Sequence, residues 1–270
     1  MAGQVESQPA SVVSARDDWD RHWRDYHETA RLNPAQDFRR RLVLQHLLAG
    51  GAAARELKVV DIGSGPGDFA REFLHRFAGA SYLGLEYSRS GVEIAQAKVP
   101  QARFLQRDLL EPQSPPDPWR GWANHGVCSE VLEHVDEPAL LLSNVQPYLA
   151  PGARLIVTVP GGPVSAFDRH IGHRRHFTPA DLAEVMQQAG YEVEGTWGAG
   201  FPFFNLYRMT VIARGEKLIH DVSGETSGTS RRLSRAVMSV FAVLFKLNAC
   251  RSTRGWQTVG VARYPGRGRP

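Results

Sequence analysis

Cysteine is nearly missing from this chain of 270 residues, which has only Cys128 and Cys250. Far apart and without metal or redox spacing, they offer no disulfide framework, and a reducing cytoplasm is the expected setting. Long apolar runs are also missing. None nears the ~20 residues of a membrane span, and Met1 to Ser14 lack the cationic start and apolar core of an export signal. Charge of one sign is scarce as well: 32 Lys and Arg stand against 28 Asp and Glu, a net of +4. Arginines cluster at Arg39-Arg40-Arg41, Arg174-Arg175 and Arg231-Arg232, but no aromatic-basic motif of a nucleic-acid module accompanies them. A small-molecule partner is expected, and no nucleic acid. There is no internal repeat.

What is present is enough apolar sequence, 42%, for one sizeable core. Residues 1–15 and 265–270 read as polar tails, leaving one domain over 16–264. Trp19, Trp23 and Tyr26 recur at helical spacing, Asn33-Pro34 interrupts, and Phe38, Leu42, Leu44, Leu47 and Leu48 resume the pattern. A helical cap over 16–56 is therefore expected. Strands and helices then alternate: strands over 57–62, 81–86, 102–106, 122–128 and 153–159, helices over 67–77, 88–98 and 131–149. A further helix opens at Thr178-Pro179, with strands over 191–197 and 255–264. Such alternation predicts an α/β fold with a parallel sheet and helices on both faces. The segment 201–254 falls outside the alternation and is expected to be a helical insertion or lid between the last two strands.

Chemistry gathers first at Leu57 to Asp68, an apolar strand running into Gly63-Ser64-Gly65-Pro66-Gly67 and then a helix. Glycines there let ligand and backbone approach closely. A dinucleotide fingerprint would place a third glycine where Asp68 stands, and its carboxylate opposes a pyrophosphate. Asp61, at the carboxyl end of the strand, suits the ammonium of an amino-acid-like ligand instead.

Val60-Asp61-Ile62-Gly63-Ser64-Gly65-Pro66-Gly67-Asp68 resembles motif I of the class I S-adenosylmethionine-dependent methyltransferases, and ubiquinone-pathway enzymes among them share later motifs. Leu83-Gly84-Leu85-Glu86-Tyr87-Ser88 resembles motif II, Phe104 to Leu109 the segment after strand three, and Cys128 to Val135 motif IV. The resemblance implies a Rossmann-like seven-stranded sheet with the last strand antiparallel, and S-adenosylmethionine as methyl donor. It implies that Glu86 meets the ribose hydroxyls, Tyr87 the adenine, and Asp108 and the Leu109 amide the adenine edge. Cys128 would lie beside the methionyl chain, with Asp61, Gly63, Ser64, Gly65 and Gly67 forming the loop.

For the acceptor side, the loop Asp168 to Phe177 carries three histidines at the carboxyl edge of the sheet. His173 and His176 are the expected general bases, which suits transfer to a hydroxyl, O-methylation, in a biosynthetic pathway. One alternative is a hard divalent cation held by Glu130, Glu133 and His134, expected on one face of a helix start and completed by a histidine of the following loop, resembling ubiquinone-pathway and small-RNA 2′-O-methyltransferases. A metal is not the favoured reading. Another alternative is a non-methylating cyclase, isomerase or binding protein on the same fold. The aromatic start of the insertion and its apolar second half fit a lid over a partly apolar acceptor, or peripheral contact with a membrane.

Overall fold

The computed structural model describes residues 19–21, 23, 33–49, 53–223 and 237–266, the side chains of 216–223 excepted. The expected N-terminal tail and Tyr26 lie outside these residues, as does 267–270 of the C-terminal one.

Residues 19–21 and 23 are helical, and helix α1 (Pro34–Leu48) follows, capped by Asn33, whose side chain accepts from the Ala35 amide at 2.9 Å. The alternation then unfolds as β1 (Lys58–Ile62), α2 (Asp68–Arg76), β2 (Ser81–Glu86), α3 (Arg89–Lys98), β3 (Arg103–Gln106), β4 (Ala123–Ser129), α4 (Pro138–Val145) and β5 (Leu149–Pro160). After it come α5 (Ala166–His170), α6 (Pro179–Gln188), β6 (Glu192–Ala199), α7 (Phe203–Ser223) and β7 (Gln257–Arg263). The seven strands lie in the order β3-β2-β1-β4-β5-β7-β6. All pair parallel except β7, which runs antiparallel to both β5 and β6.

Alternation along each strand sends successive side chains to opposite faces. Val60 and Ile62 join Leu141, Leu142, Leu182 and Met186 of α4 and α6 on one face. Val59 joins Val43, Leu47, Phe73, Ala95 and Phe104 on the other, under α1, α2 and α3. Asp61, in register with Val59, therefore turns toward the second face. β1 and β4 are neighbours at the point where the strand order reverses, which is where open α/β sheets form their ligand crevice.

One expected helix does not form as a single element. Over 131–149 the chain makes a short 3₁₀ turn (Leu132–His134), then α4, then another 3₁₀ turn (Gln146–Tyr148). Pro138 and Pro147 lack the amide that would continue a helix through them. Glu130 lies before the first turn with φ 59°, so Glu130, Glu133 and His134 do not share a helical face.

The insertion lies between β6 and β7 and is helical: α7 at its start, and residues 237–244 before a 3₁₀ turn (Phe245–Leu247). It builds a third apolar cluster, with Phe204 and Phe245 stacked 5.3 and 5.8 Å from Phe38 of α1.

Candidate functional site

The loop after β1 is held open by its glycines. Gly63 has φ 69°, and a Cβ there would stand 2.5 Å from Cγ2 of Val131, so only glycine fits on both counts. The Gly63 and Ser64 amides donate to the Leu85 carbonyl at 2.8 and 3.1 Å, fastening the loop to β2. At the end of β2 the Glu86 carboxylate accepts from the Gly65 amide at 2.8 Å on one oxygen and from the Ser88 amide at 2.9 Å on the other. Burial raises the Glu86 pKa, and hydrogen bonds from the Ser88 and Gly65 amides, the Trp23 side chain and the Tyr87 backbone pull it back.

The Glu86 side chain borders a cavity of about 360 Å³. Gly63, Glu86, Tyr87, Asp108 and Leu109 line it, joined by Trp19 and Trp23 from the N-terminal segment. Trp23 lies across the loop: a Cβ on Gly65 would meet its ring at 3.1 Å, and one on Gly91 at 3.0 Å. Asp20 clamps this segment in place, its carboxylate accepting from the Ser88 hydroxyl at 2.6 Å and the Ser90 amide at 3.0 Å. Asp68, in the first turn of α2, pairs with Lys98 at 3.2 Å and does not line the cavity.

Other expected cofactor residues sit behind the wall. Asp61 is buried and accepts a hydrogen bond from the Tyr82 hydroxyl instead of facing the cavity. Burial drives its pKa up to about 7, with the Tyr82 bond opposing. Cys128 is fully buried, and burial pushes its thiol pKa well up, the opposite of what an activated nucleophile needs. Ser64, Gly65 and Gly67 shape the loop without lining the cavity.

The far end of the cavity is lined by Glu130, Val131, His134, Val135, Leu141 and Arg174. Glu130 adopts φ 59°, an uncommon conformation for a residue with a Cβ. Arg39 of α1 at 2.9 Å and Gln257 of β7 at 2.8 Å hold its carboxylate there. The side chain is thus tied to protein partners from two distant elements.

His173 and His176 stand one layer back, and neither lines the cavity. His134 does, with the His173 ring edge-on to it at 4.7 Å. His176 Nδ1 is 3.0 Å from the Gly162 carbonyl, which can only accept, so that nitrogen carries the proton. Its Nε2 then accepts from His173 Nδ1 at 3.2 Å. Neutral His173 consequently turns an unprotonated Nε2 toward Glu133, 4.0 Å away. Burial, then the neighbouring His134, depresses the His173 pKa to about 2. Burial also lowers that of His176. Glu133 is fully buried, and neither of its oxygens has a hydrogen-bond partner among the described residues. Burial, then the Glu130 charge, raises its pKa well above the usual range. Glu133, His134 and His173 converge closely enough to share one ion; His173 joins this group in place of Glu130.

The histidine loop is anchored from below. Asp168 accepts from the Ser165 amide and hydroxyl, both at 2.7 Å, and from Arg208 of α7 at 2.9 and 2.7 Å. Burial alone would raise its pKa, but these bonds and the Arg208 charge outweigh it and hold the carboxyl far below the ordinary range. No described residue of the insertion lines the cavity. Its influence on the site runs through Arg208. Sequence reasoning missed this residue, along with Trp19, Trp23 and Arg39, because each reaches the site from a distant element.

A family model described as a methyltransferase domain matches residues 22–195. The trans-aconitate 2-methyltransferase of Methylobacterium nodulans is 34% identical over 116 residues, covering 42% of each chain. The chain thus spans less than half of that relative's length. The ubiquinone biosynthesis O-methyltransferase of Acinetobacter baylyi is 24% identical over 197 residues, covering 67% of this chain and 79% of its own. Among solved structures, one assigned as a sarcosine dimethylglycine methyltransferase from Galdieria sulphuraria superposes with a TM-score of 0.60 at 14% identity. It covers 92% of this chain and 98% of that one, a likeness of fold.

Proposed function

Because the chain belongs to the class I S-adenosylmethionine-dependent methyltransferases, we propose that it methylates a hydroxyl of a small, partly apolar acceptor in a biosynthetic pathway. The observation carrying this reading is that one cavity joins Glu86, Tyr87 and Asp108 to Glu130 and His134. When bound, the donor supplies a methyl group on a sulfonium, already a strong electrophile.

The protein's part is then to position the acceptor and remove one proton. Glu86 accepts from the ribose hydroxyls, while Tyr87, Asp108 and Leu109 take the base. Val131, Val135 and Leu141 give the acceptor an apolar wall. His134 meets the acceptor oxygen and takes its proton, and His173 and His176, neutral and hydrogen-bonded in series, support it from behind. Trp19, edge-on to His134 at 4.8 Å, roofs the site against water.

The relatives' names include both an aconitate and a ubiquinone precursor pathway, and the distinction is chemical. A carboxylate acceptor has no proton to lose, whereas a hydroxyl acceptor needs a base. The test is release of S-adenosylhomocysteine across a panel of hydroxylated aromatics and di- and tricarboxylates. A hydroxyl acceptor and a large loss of kcat in His134→Ala are expected. Turnover confined to carboxylates, with His134→Ala fully active, would refute the reading.

A second reading rests on Glu133, whose carboxylate has no hydrogen-bond partner among the described residues and whose Oε1 lies 3.9 Å from His134 and 4.0 Å from His173. A divalent ion on this trio would supply the missing partner and could order acceptor oxygens. Its donor set suits a borderline cation better than a purely hard one. Undiminished turnover after chelation removes it.

A further inference from the structure

The helical second half of the insertion is apolar on two faces, and only one is covered. Phe241 and Phe245 point inward, 5.4 and 5.7 Å from Tyr207. Val237, Val240, Val243 and Leu247 point outward, 45% to 67% exposed. Their spacing of three, three and four residues makes one continuous stripe along a helical turn. A helix apolar all round is ordinarily buried all round. Seven of the nine large apolar side chains exposed among the described residues lie between Phe201 and Leu247, so the exposure is concentrated here.

Charge distinguishes between occupants. From Phe201 to Arg254 the sequence has nine Lys and Arg against three Asp and Glu. The insertion is thus at +6, and the rest of a chain of net +4 is at −2. Arg231, Arg232 and Arg235 precede the stripe in sequence, and exposed Lys246, Arg251 and Arg254 accompany or follow it. A second copy would press two such insertions together against their own repulsion. A negatively charged lipid surface satisfies both the apolar stripe and its basic rim.

We propose that the Val237–Leu247 stripe docks this protein on anionic bilayers. The valines enter the interfacial zone while Lys246, Arg251 and Arg254 meet lipid phosphates. This does not depend on which acceptor is methylated, and it goes beyond the catalytic cavity, which the stripe does not line.

The test is sedimentation of the full chain with vesicles of phosphatidylcholine containing about one-third phosphatidylglycerol, beside vesicles of phosphatidylcholine alone. Binding to the anionic vesicles, weakened by high salt, is expected. Val240→Asp with Val243→Asp, both solvent-facing and so harmless to folding, should lower partitioning about tenfold or more. Retained thermal stability of that double variant is checked alongside. Three results would overturn the proposal: no sedimentation with anionic vesicles, equal sedimentation with neutral ones, or undiminished binding by the double variant. A dimer seen by light scattering and dissolved by the same substitutions, without vesicle binding, would assign the stripe to a second copy and overturn it equally.

Discussion

Arg208 of α7 donates two hydrogen bonds to the Asp168 carboxylate, at 2.9 and 2.7 Å, and both side chains are buried. This fork joins the insertion, none of whose described residues lines the cavity, to the loop that carries His173 and His176. Asp168 in turn caps α5 through Ser165, so one carboxylate fixes the loop's entry as well as its tether.

Breaking the fork leaves Asp168 as a buried charge with Ser165 alone to satisfy it. Arg208→Ala should therefore cost about 3–5 kcal/mol of stability, the usual penalty for removing one partner of a buried pair. Turnover should fall further than affinity for S-adenosylhomocysteine, because Glu86 and the glycine loop are untouched. Denaturant unfolding and binding calorimetry measure the two effects separately. Unfolding free energy equal to that of the wild type would show that the pair contributes nothing net.

Glu86, the proposed acceptor for the cofactor, is also a loop support, since each of its oxygens already takes an amide. Glu86→Gln keeps one accepting oxygen but places an NH₂ against an amide donor, and Glu86→Ala removes both acceptors. Charge-assisted bonds contribute about 1.5–3 kcal/mol each, so affinity for S-adenosylhomocysteine should fall about tenfold or more in Gln and further in Ala. Calorimetric titration would decide it; unchanged affinity in Ala would sever the link between this carboxylate and the cofactor.

Asp61 gives stability a pH dependence of a definite sign. Burial lifts its pKa to about 7 in the folded protein, whereas in the unfolded chain it sits near ~4. The folded state therefore keeps a proton that the unfolded state has lost across that interval, and stability falls as pH rises from ~4 to 7. Asp61→Asn stays neutral and can still accept from Tyr82. Its melting temperature should decline less than the wild type's over the same range. Parallel curves would mean that the carboxylate is not held protonated in the fold.

The alternation of strands and helices was legible because each buried strand is a local apolar run and each helix carries its own period and cap. The glycine loop and Glu86 were legible for the same reason, since their geometry is set within a few residues. The break at Pro138 was also written locally but was hidden by the apolar pattern around it. Arg39 on Glu130, Arg208 on Asp168 and Trp23 over Gly65 could not be read from any window. Each pairs residues whose meeting depends on the completed sheet. The same holds for His173 and His176: the sequence places them at the correct sheet edge, and only packing decides that His134 stands in front.

The roof made by Trp19 and Trp23 yields a further expectation. Trp23 covers Gly65 and Gly91, and its ring is 5.9 Å from Trp19, which touches His134. A ligand between the loop and the acceptor wall must change the surroundings of both indoles, so S-adenosylhomocysteine should shift tryptophan emission on binding. Other tryptophans are present, so the signal is assigned with Trp19→Phe and Trp23→Phe, in which it should shrink. Trp23→Ala removes a large apolar cover and should weaken binding by about 1–3 kcal/mol, or roughly tenfold to a hundredfold. Because Asp20 would still clamp the segment to Ser88 and Ser90, the loss should appear in affinity and not in overall stability. If Trp23→Ala bound as tightly as the wild type while the emission shift persisted unchanged, the N-terminal segment would be a neighbour of the cavity and not its roof.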